Sequence, residues 1–142
     1  MRRVVVLCGP PGAGKTTAAR RSGMAIYDRD DPQWASESQF TAAITKLADD
    51  RDARAVVIRS GASSTARARM RSLIDATHVY VILEDPQELA RRVRERGRAD
   101  RVYTIAGITK WFERFDRGDG VSVFPGWEAI DEPDLGAVSQ DW

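Results

Sequence analysis

The 142-residue sequence is poor in several residue types on which protein chemistry often rests. It has one cysteine, Cys8, which excludes an internal disulfide and a cysteine-based metal site. Cys8 closes an apolar run and reads as a small buried side chain. The single histidine, His78, opens another apolar run and reads as structural. Lysine occurs only as Lys15, Lys46 and Lys110, so arginine supplies most of the positive charge. No apolar stretch approaches the roughly 18 residues of a membrane-spanning helix. The short apolar run after Met1-Arg2-Arg3 is too brief for a signal peptide, and a cytoplasmic protein without membrane contact is expected. Repeats and low-complexity segments are also missing. At 15.8 kDa, with 42% hydrophobic and 30% charged residues, the chain suits one globular domain over 1–142, without a second catalytic module. The net charge of +1 conceals an uneven distribution: arginines concentrate between Arg51 and Arg101, and acids after Asp116.

What is present starts with one loop. Cys8-Gly9-Pro10-Pro11-Gly12-Ala13-Gly14-Lys15-Thr16-Thr17 fits G-x-x-x-x-G-K-[ST] and follows the apolar Val4-Val5-Val6-Leu7. Gly9, Gly12 and Gly14 let the backbone turn with its N–H groups facing inward, which makes an anion nest. The helix that follows adds the positive end of its dipole to the same spot. Residues Gly9 to Thr17 are therefore the expected nucleotide contacts. Lys15 should reach the β and γ phosphates, and the Thr16 hydroxyl should hold magnesium. A chance glycine-rich turn would not carry strand, loop and helix in this order. The loop fixes nucleotide binding and leaves the reaction open.

Hydrophobic patterning extends the reading along the chain. Strands are expected at Arg3–Leu7, Met24–Tyr27, Arg54–Ile58 and His78–Leu83, with a last one after Val121. Between them, helices are expected from Lys15 to about Arg21, over 36–49 from Phe40, Ala43, Ile44 and Leu47, and over 65–75 burying Met70, Leu73 and Ile74. Pro86 suits the first turn of a helix carrying Leu89 and Val93, which ends before Gly97, and Ile105, Ile108, Trp111, Phe112 and Phe115 mark another. Strands alternating with helices imply an α/β chain. The expected fold is the three-layer P-loop NTPase/kinase fold, a mostly parallel sheet flanked by helices. Ligands then sit beyond the carboxyl ends of the strands, at residues 9–16, 28–31, 59–64 and 84–85.

Two of these places carry chemistry. Asp28, Asp30 and Asp31 follow the second strand, where a kinase needs a carboxylate to orient an acceptor hydroxyl and take its proton. The bland alternative is a set of solvated turn acids ahead of Pro32. Arg91, Arg92, Arg94, Arg96, Arg98 and Arg101 cluster at the end of the helix after the fourth strand. Arg92 and Arg96 share a helical face and could neutralise charge on a transferred phosphoryl group, in a lid around 92–102. Arg91, Arg94 and Arg98 read as a solvated stripe.

Taken together, these residues resemble the kinase domain of phage-type 5′-hydroxyl polynucleotide kinases over roughly residues 1–115. Besides the phosphate loop, Arg29-Asp30-Asp31 is similar to the family's Arg-Asp-Asp, which implies Asp30 as general base. The stretch from Glu88-Leu89 through Arg92, Arg96 and Gly97 resembles its lid helix, which implies Arg96, with Arg92 a turn before it, on the ATP phosphates. Ile105 to Phe115 resembles the helix after the lid. The resemblance implies ATP with Mg2+ as donor and a 5′-hydroxyl end of DNA or RNA as acceptor. Two positions depart from the pattern. Gln33 stands where the family has an arginine for the acceptor's phosphate, and Ser60 stands where an aspartate is expected, so the acidic partner of the metal is left unassigned.

Other acceptors stay open: a nucleoside or nucleotide, a modified DNA base or a small metabolite. A non-catalytic ATP-binding switch is a third class, which would need neither base nor arginine. Arg67, Arg69 and Arg71 could track an acceptor's phosphates, with arginine simply the default cation as the alternative. Trp34 could stack on a base or pack its own helix, and Trp127 with Pro125-Gly126 could border adenine. Oligomeric state and the acidic tail from about residue 131 are left without assignment.

Overall fold

Val4, Val5, Val6 and Leu7 have no exposed surface, because their strand lies in the middle of a sheet covered on both faces. In the computed structural model, which describes residues 1–96 and 101–131 apart from the side chains of 96 and 101–103, this strand is β1, Arg3–Cys8. It is flanked by β3 (Arg54–Arg59) and β4 (His78–Val81), with β2 (Ala25–Asp28) beyond β3 and the short β5 (Ser122–Val123) beyond β4. The order is β2-β3-β1-β4-β5 and every pairing is parallel. The chain therefore leaves β1 on one side and returns on the other. That reversal puts the topological switch point, and the crevice it opens, at the carboxyl end of β1.

Helices fill both faces. α1 is Lys15–Arg20, α2 Glu37–Thr45, α3 Ser64–Ile74, α4 Pro86–Arg96, α5 Arg101–Arg114 and α6 Trp127–Asp131. Ser36 caps α2 by accepting from Gln39 N at 3.0 Å, and Ser63 caps α3 by accepting from Ala66 N at 3.1 Å. The helix expected over 36–49 tightens into a 3₁₀ turn at Lys46–Asp49, and the fourth strand stops two residues before its apolar run does. One face packs Phe40, Ile44, Ile74 and Trp111 against Val4, Val6 and Val57, and the other packs Ala19 against Val5, Leu7 and Val56.

Cys8 is 1% exposed, as a small buried side chain should be, and burial pushes its thiol up to about 11. Gly61 lies against it. A Cβ there would stand 2.2 Å from Cys8 Sγ, and φ of +51° is the left-handed region, so only glycine fits after β3. Arg67 overturns part of the sequence reading. It is 1% exposed, with Nη1 2.8 Å from the carbonyls of both Gly61 and Ala62, and it pairs with both oxygens of Asp119. Nη2 also donates to the Asp116 carbonyl. A buried guanidinium satisfied in this way fastens the loop after β3 to the loop after α5 and cannot track phosphates on the surface. Arg69 and Arg71 are exposed.

Candidate active site

The loop after β1 takes its shape from glycines and its support from two helices. Gly12 and Gly14 have φ of +80° and +91°, the left-handed backbone that turns N–H groups to a common side. Ala13, between them, is buried against Leu89 and Val93 of α4 and Ile108 of α5. Gly107 of α5 comes close enough to Pro11 that a Cβ would stand 3.4 Å from its ring. α1 begins at Lys15, so its amino terminus closes the loop.

A cleft of about 810 Å³ opens over this loop. Gly9, Pro11, Gly12, Ala13, Gly14, Lys15, Thr16 and Thr17 line one end, while Pro10 is buried beneath it. Lys15 Nζ donates to the Gly9 carbonyl at 2.6 Å. Burial pulls its ammonium below the ordinary lysine range, with Cys8, Asp30 and Asp28 acting against that shift.

Of the three acids after β2, the structure sorts each to a different place. Asp28 ends the strand, and its Oδ2 accepts from the Thr16 hydroxyl at 3.2 Å. Its Oδ1 accepts from the Asp30 N–H at 3.0 Å, so one carboxylate fixes both the loop hydroxyl and the turn. Asp30 lines the cleft beside it. Asp31 turns away, its Oδ1 accepting from the Gln33 N–H at 3.0 Å, and neither residue lines the cleft. An acid thus stands beside Thr16 at the end of β2, while β3 ends in Arg59 and is followed by Ser60. Among the described residues, no cluster of three His, Cys, Asp or Glu forms a metal cage. Thr16 with Asp28 suits magnesium nevertheless, since that ion keeps its waters and takes one or two carboxylates plus substrate phosphates.

Another part of the cleft adds Glu37 and Arg59, which the sequence reading did not single out, to Arg29 of the Arg-Asp-Asp segment. Arg29, Glu37 and Arg59 line it together with Ile58, Ser60 and Thr104 of α5. Glu37 bridges the two arginines, taking Arg29 Nε at 2.8 Å and Arg59 Nη2 at 2.9 Å. Desolvation works against the Glu37 carboxylate, but hydrogen bonds from Arg59 and Arg29 outweigh it and hold its pKa below the ordinary range. Only the carboxyl-end rule pointed here, since residues 59–64 follow a strand. Ser60 serves through its backbone: its carbonyl accepts from Gly9 N at 3.1 Å and from Trp111 Nε1 at 2.6 Å.

Among the described candidates, Arg92, Trp34 and Trp127 do not line the cleft. Arg92 is held by Glu84 and Glu88, each at 3.3 Å. Arg96 ends α4; its side chain, residues 97–100 including Arg98, and the Arg101 side chain lie outside the described residues, as does the tail beyond 131. Trp34 packs on Tyr27 and Phe40, with ring centroids 6.4 and 5.4 Å apart. Trp127, which could border adenine, packs on Phe124 and donates its indole N–H to the Ala18 carbonyl at 2.7 Å.

Fold and cleft together place the chain among proteins of the P-loop kinase fold. No protein-family model matches it, and no curated protein matches by sequence. Similar solved structures include a gluconokinase from Sinorhizobium meliloti 1021, at 19% identity and TM-score 0.60 over 87% of this chain and 82% of that one. A fungal RNA kinase is similar at 14% identity and TM-score 0.55, over 81% and 65% of the two chains. Kti12 of Chaetomium thermophilum, in complex with ADP-AlF3, is similar at 15% identity and TM-score 0.54 over 96% and 94%. Among the described residues no helix is long and apolar enough to cross a membrane.

Proposed function

We propose that the chain is an ATP-dependent phosphotransferase that moves the γ-phosphoryl group of ATP to a hydroxyl, the 5′-hydroxyl of a DNA or RNA end. The observation that carries this reading is the division of labour between two neighbouring carboxylates. Asp28 is occupied by Thr16 at 3.2 Å, on the side where magnesium would sit. Asp30 lines the same cleft without that engagement, and a nucleotide-binding switch would have no use for it. In this account Lys15 and the loop amides hold the β and γ phosphates. Thr16, with Asp28 behind it, holds magnesium, which when bound neutralises charge on the phosphate oxygens. Asp30 takes the proton from the acceptor hydroxyl as its oxygen bonds to the γ phosphorus and the bond to the β–γ bridging oxygen breaks, leaving ADP. Arg96, with Arg92 a turn earlier, supplies positive charge from a lid over 92–102. Residues 1–142 act as one catalytic domain.

The nucleic-acid acceptor rests on Arg29-Asp30-Asp31, the segment most similar to the polynucleotide kinases, and the fungal RNA kinase among the structural neighbours agrees with it. The gluconokinase favours a second reading, a small polyhydroxy metabolite on the same machinery. Incubation with γ-labelled ATP and magnesium against 5′-hydroxyl oligonucleotides of DNA and RNA, nucleosides, nucleotides and sugar acids separates them. Label on an oligonucleotide's 5′ end is the expected result; label on sugar acids alone would establish the second reading. Binding of ATP without transfer to anything would leave a switch.

A further inference from the structure

One face of α5 runs along the phosphate loop. Thr104, Gly107, Ile108 and Trp111 are spaced i, i+3, i+4 and i+7 and share that face. Thr104 and Gly107 line the cleft. Gly107 lies against Pro11, and Ile108 packs in one cluster with Ala13. One turn on, Trp111 donates its indole N–H to the Ser60 carbonyl at 2.6 Å, and the same oxygen accepts from Gly9 N at 3.1 Å. We propose that Trp111 is a positioning residue for the donor: through the Ser60 carbonyl it holds Gly9 in place, and Gly9 in turn holds Lys15 where the phosphates bind. The role deepens the phosphotransferase reading of the cleft and rests on it.

The chain of contacts is short and each link is directional. Cys8 is registered against Arg59, so the bond from Gly9 to Ser60 lies one step past the β1–β3 ladder, where strand ends otherwise fray. A carbonyl oxygen has two lone pairs, and at Ser60 both have donors, one from the loop and one from α5. Gly9 passes the constraint on, because its own carbonyl accepts from Lys15 Nζ at 2.6 Å. It has no slack on the opposite side, where Ile82 N donates to the Cys8 carbonyl at 2.8 Å and a Cβ on Gly9 would stand 2.7 Å from the Ile82 carbonyl. A displacement of Ser60 therefore reaches Gly9 and the lysine instead of being absorbed between them. Packing alone does not call for tryptophan at this position. Trp111 is 4% exposed, stacked on Phe115 with ring centroids 4.7 Å apart and edge-on to Phe112 at 5.0 Å, contacts that a phenylalanine ring could also make. What the indole adds is one donor, and that donor is directed at the oxygen that orients the loop. Gly107 and Ile108 offer Pro11 and Ala13 only apolar contact, which is non-directional and leaves the register of α5 on the loop to Trp111.

Removing the donor while keeping the ring tests this. Trp111→Phe does so by mutation. Replacement of Trp111 by benzothienylalanine, which carries sulfur in place of the indole N–H, keeps the bicyclic shape and serves if the phenylalanine variant is poorly folded. The affinity for a non-hydrolysable ATP analogue with magnesium, measured by calorimetry, should fall about 3- to 10-fold, the size of one lost hydrogen bond. Hydrogen exchange of the Gly9 amide, followed by NMR in the protein without nucleotide, should accelerate by a similar factor. In the transfer assay kcat should fall while acceptor KM stays unchanged. A purely structural tryptophan would behave differently: its loss would lower Tm and speed exchange along α5, with Gly9 and the analogue's affinity unaffected. Unchanged analogue affinity, or unchanged Gly9 exchange, in a folded variant would overturn the positioning role. Failure of the wild type to transfer phosphate to any acceptor would instead sink the phosphotransferase reading, and the binding and exchange measurements would still decide whether Trp111 positions the loop.

Discussion

The two ends of the cleft are built from different materials. The end proposed to hold the donor is a continuous run of residues 9–17, shaped by backbone and anchored through Ala13. The end proposed to take the acceptor is assembled from four separated segments, Asp28 to Asp30, Glu37, Arg59 and Thr104. A backbone cradle demands glycines at fixed spacing and so imprints itself on the sequence. A wall of side chains demands only that strand ends and helix starts meet, which the sheet arranges and no local motif records.

Four substitutions press on this difference. Arg67→Met removes the tie between the loops after β3 and α5, outside the cleft, leaving Asp119 and the carbonyls of Gly61 and Ala62 without their cation. We expect a loss of about 3 kcal/mol, at the low end for a broken buried pair because the Asp119 side chain is 30% exposed. Thermal unfolding should show a fall in Tm of about 10 °C. Lys15→Met acts at the donor end alone: kcat should drop roughly 10²- to 10³-fold, the cost of one charge-stabilising donor, with Tm little changed. Asp28→Asn, at the junction, should raise the magnesium concentration needed for half-maximal activity about 10- to 100-fold, as expected for a partner behind a metal ligand. Glu37→Gln touches the acceptor end only. Partly exposed ion pairs contribute about 1 kcal/mol at most, so acceptor KM should change by no more than about fivefold while the KM for ATP stays put.

The same contrast explains what was legible beforehand. The strand order could be anticipated as mostly parallel because β1 and β3 are apolar without alternation, and the loop could be named because Gly12, Gly14 and Lys15 have no other common use in that order. Asp28 was visible only as one of three acids, since its 3.2 Å contact with Thr16 depends on where β2 ends relative to α1. Arg59 and Glu37 stayed hidden for a different reason: an arginine closing a strand and a glutamate opening a helix are ordinary, and only the pairing of β2 with β3 brings them to Arg29. Arg67 was misleading because its neighbours Arg69 and Arg71 are exposed, and nothing in an arginine-rich helix marks the one position turned toward Gly61 and Asp119.

The central claim is that Asp30 does chemistry in a cleft whose donor end works without it. Its direct test is the kinetics of Asp30→Asn against wild type on the accepted substrate, with ATP affinity measured separately by calorimetry. The account predicts a kcat about 10²- to 10⁴-fold lower, the range for loss of a general base, with the dissociation constant for MgATP unchanged. Turnover within a fewfold of wild type, or loss of ATP binding along with activity, would contradict it.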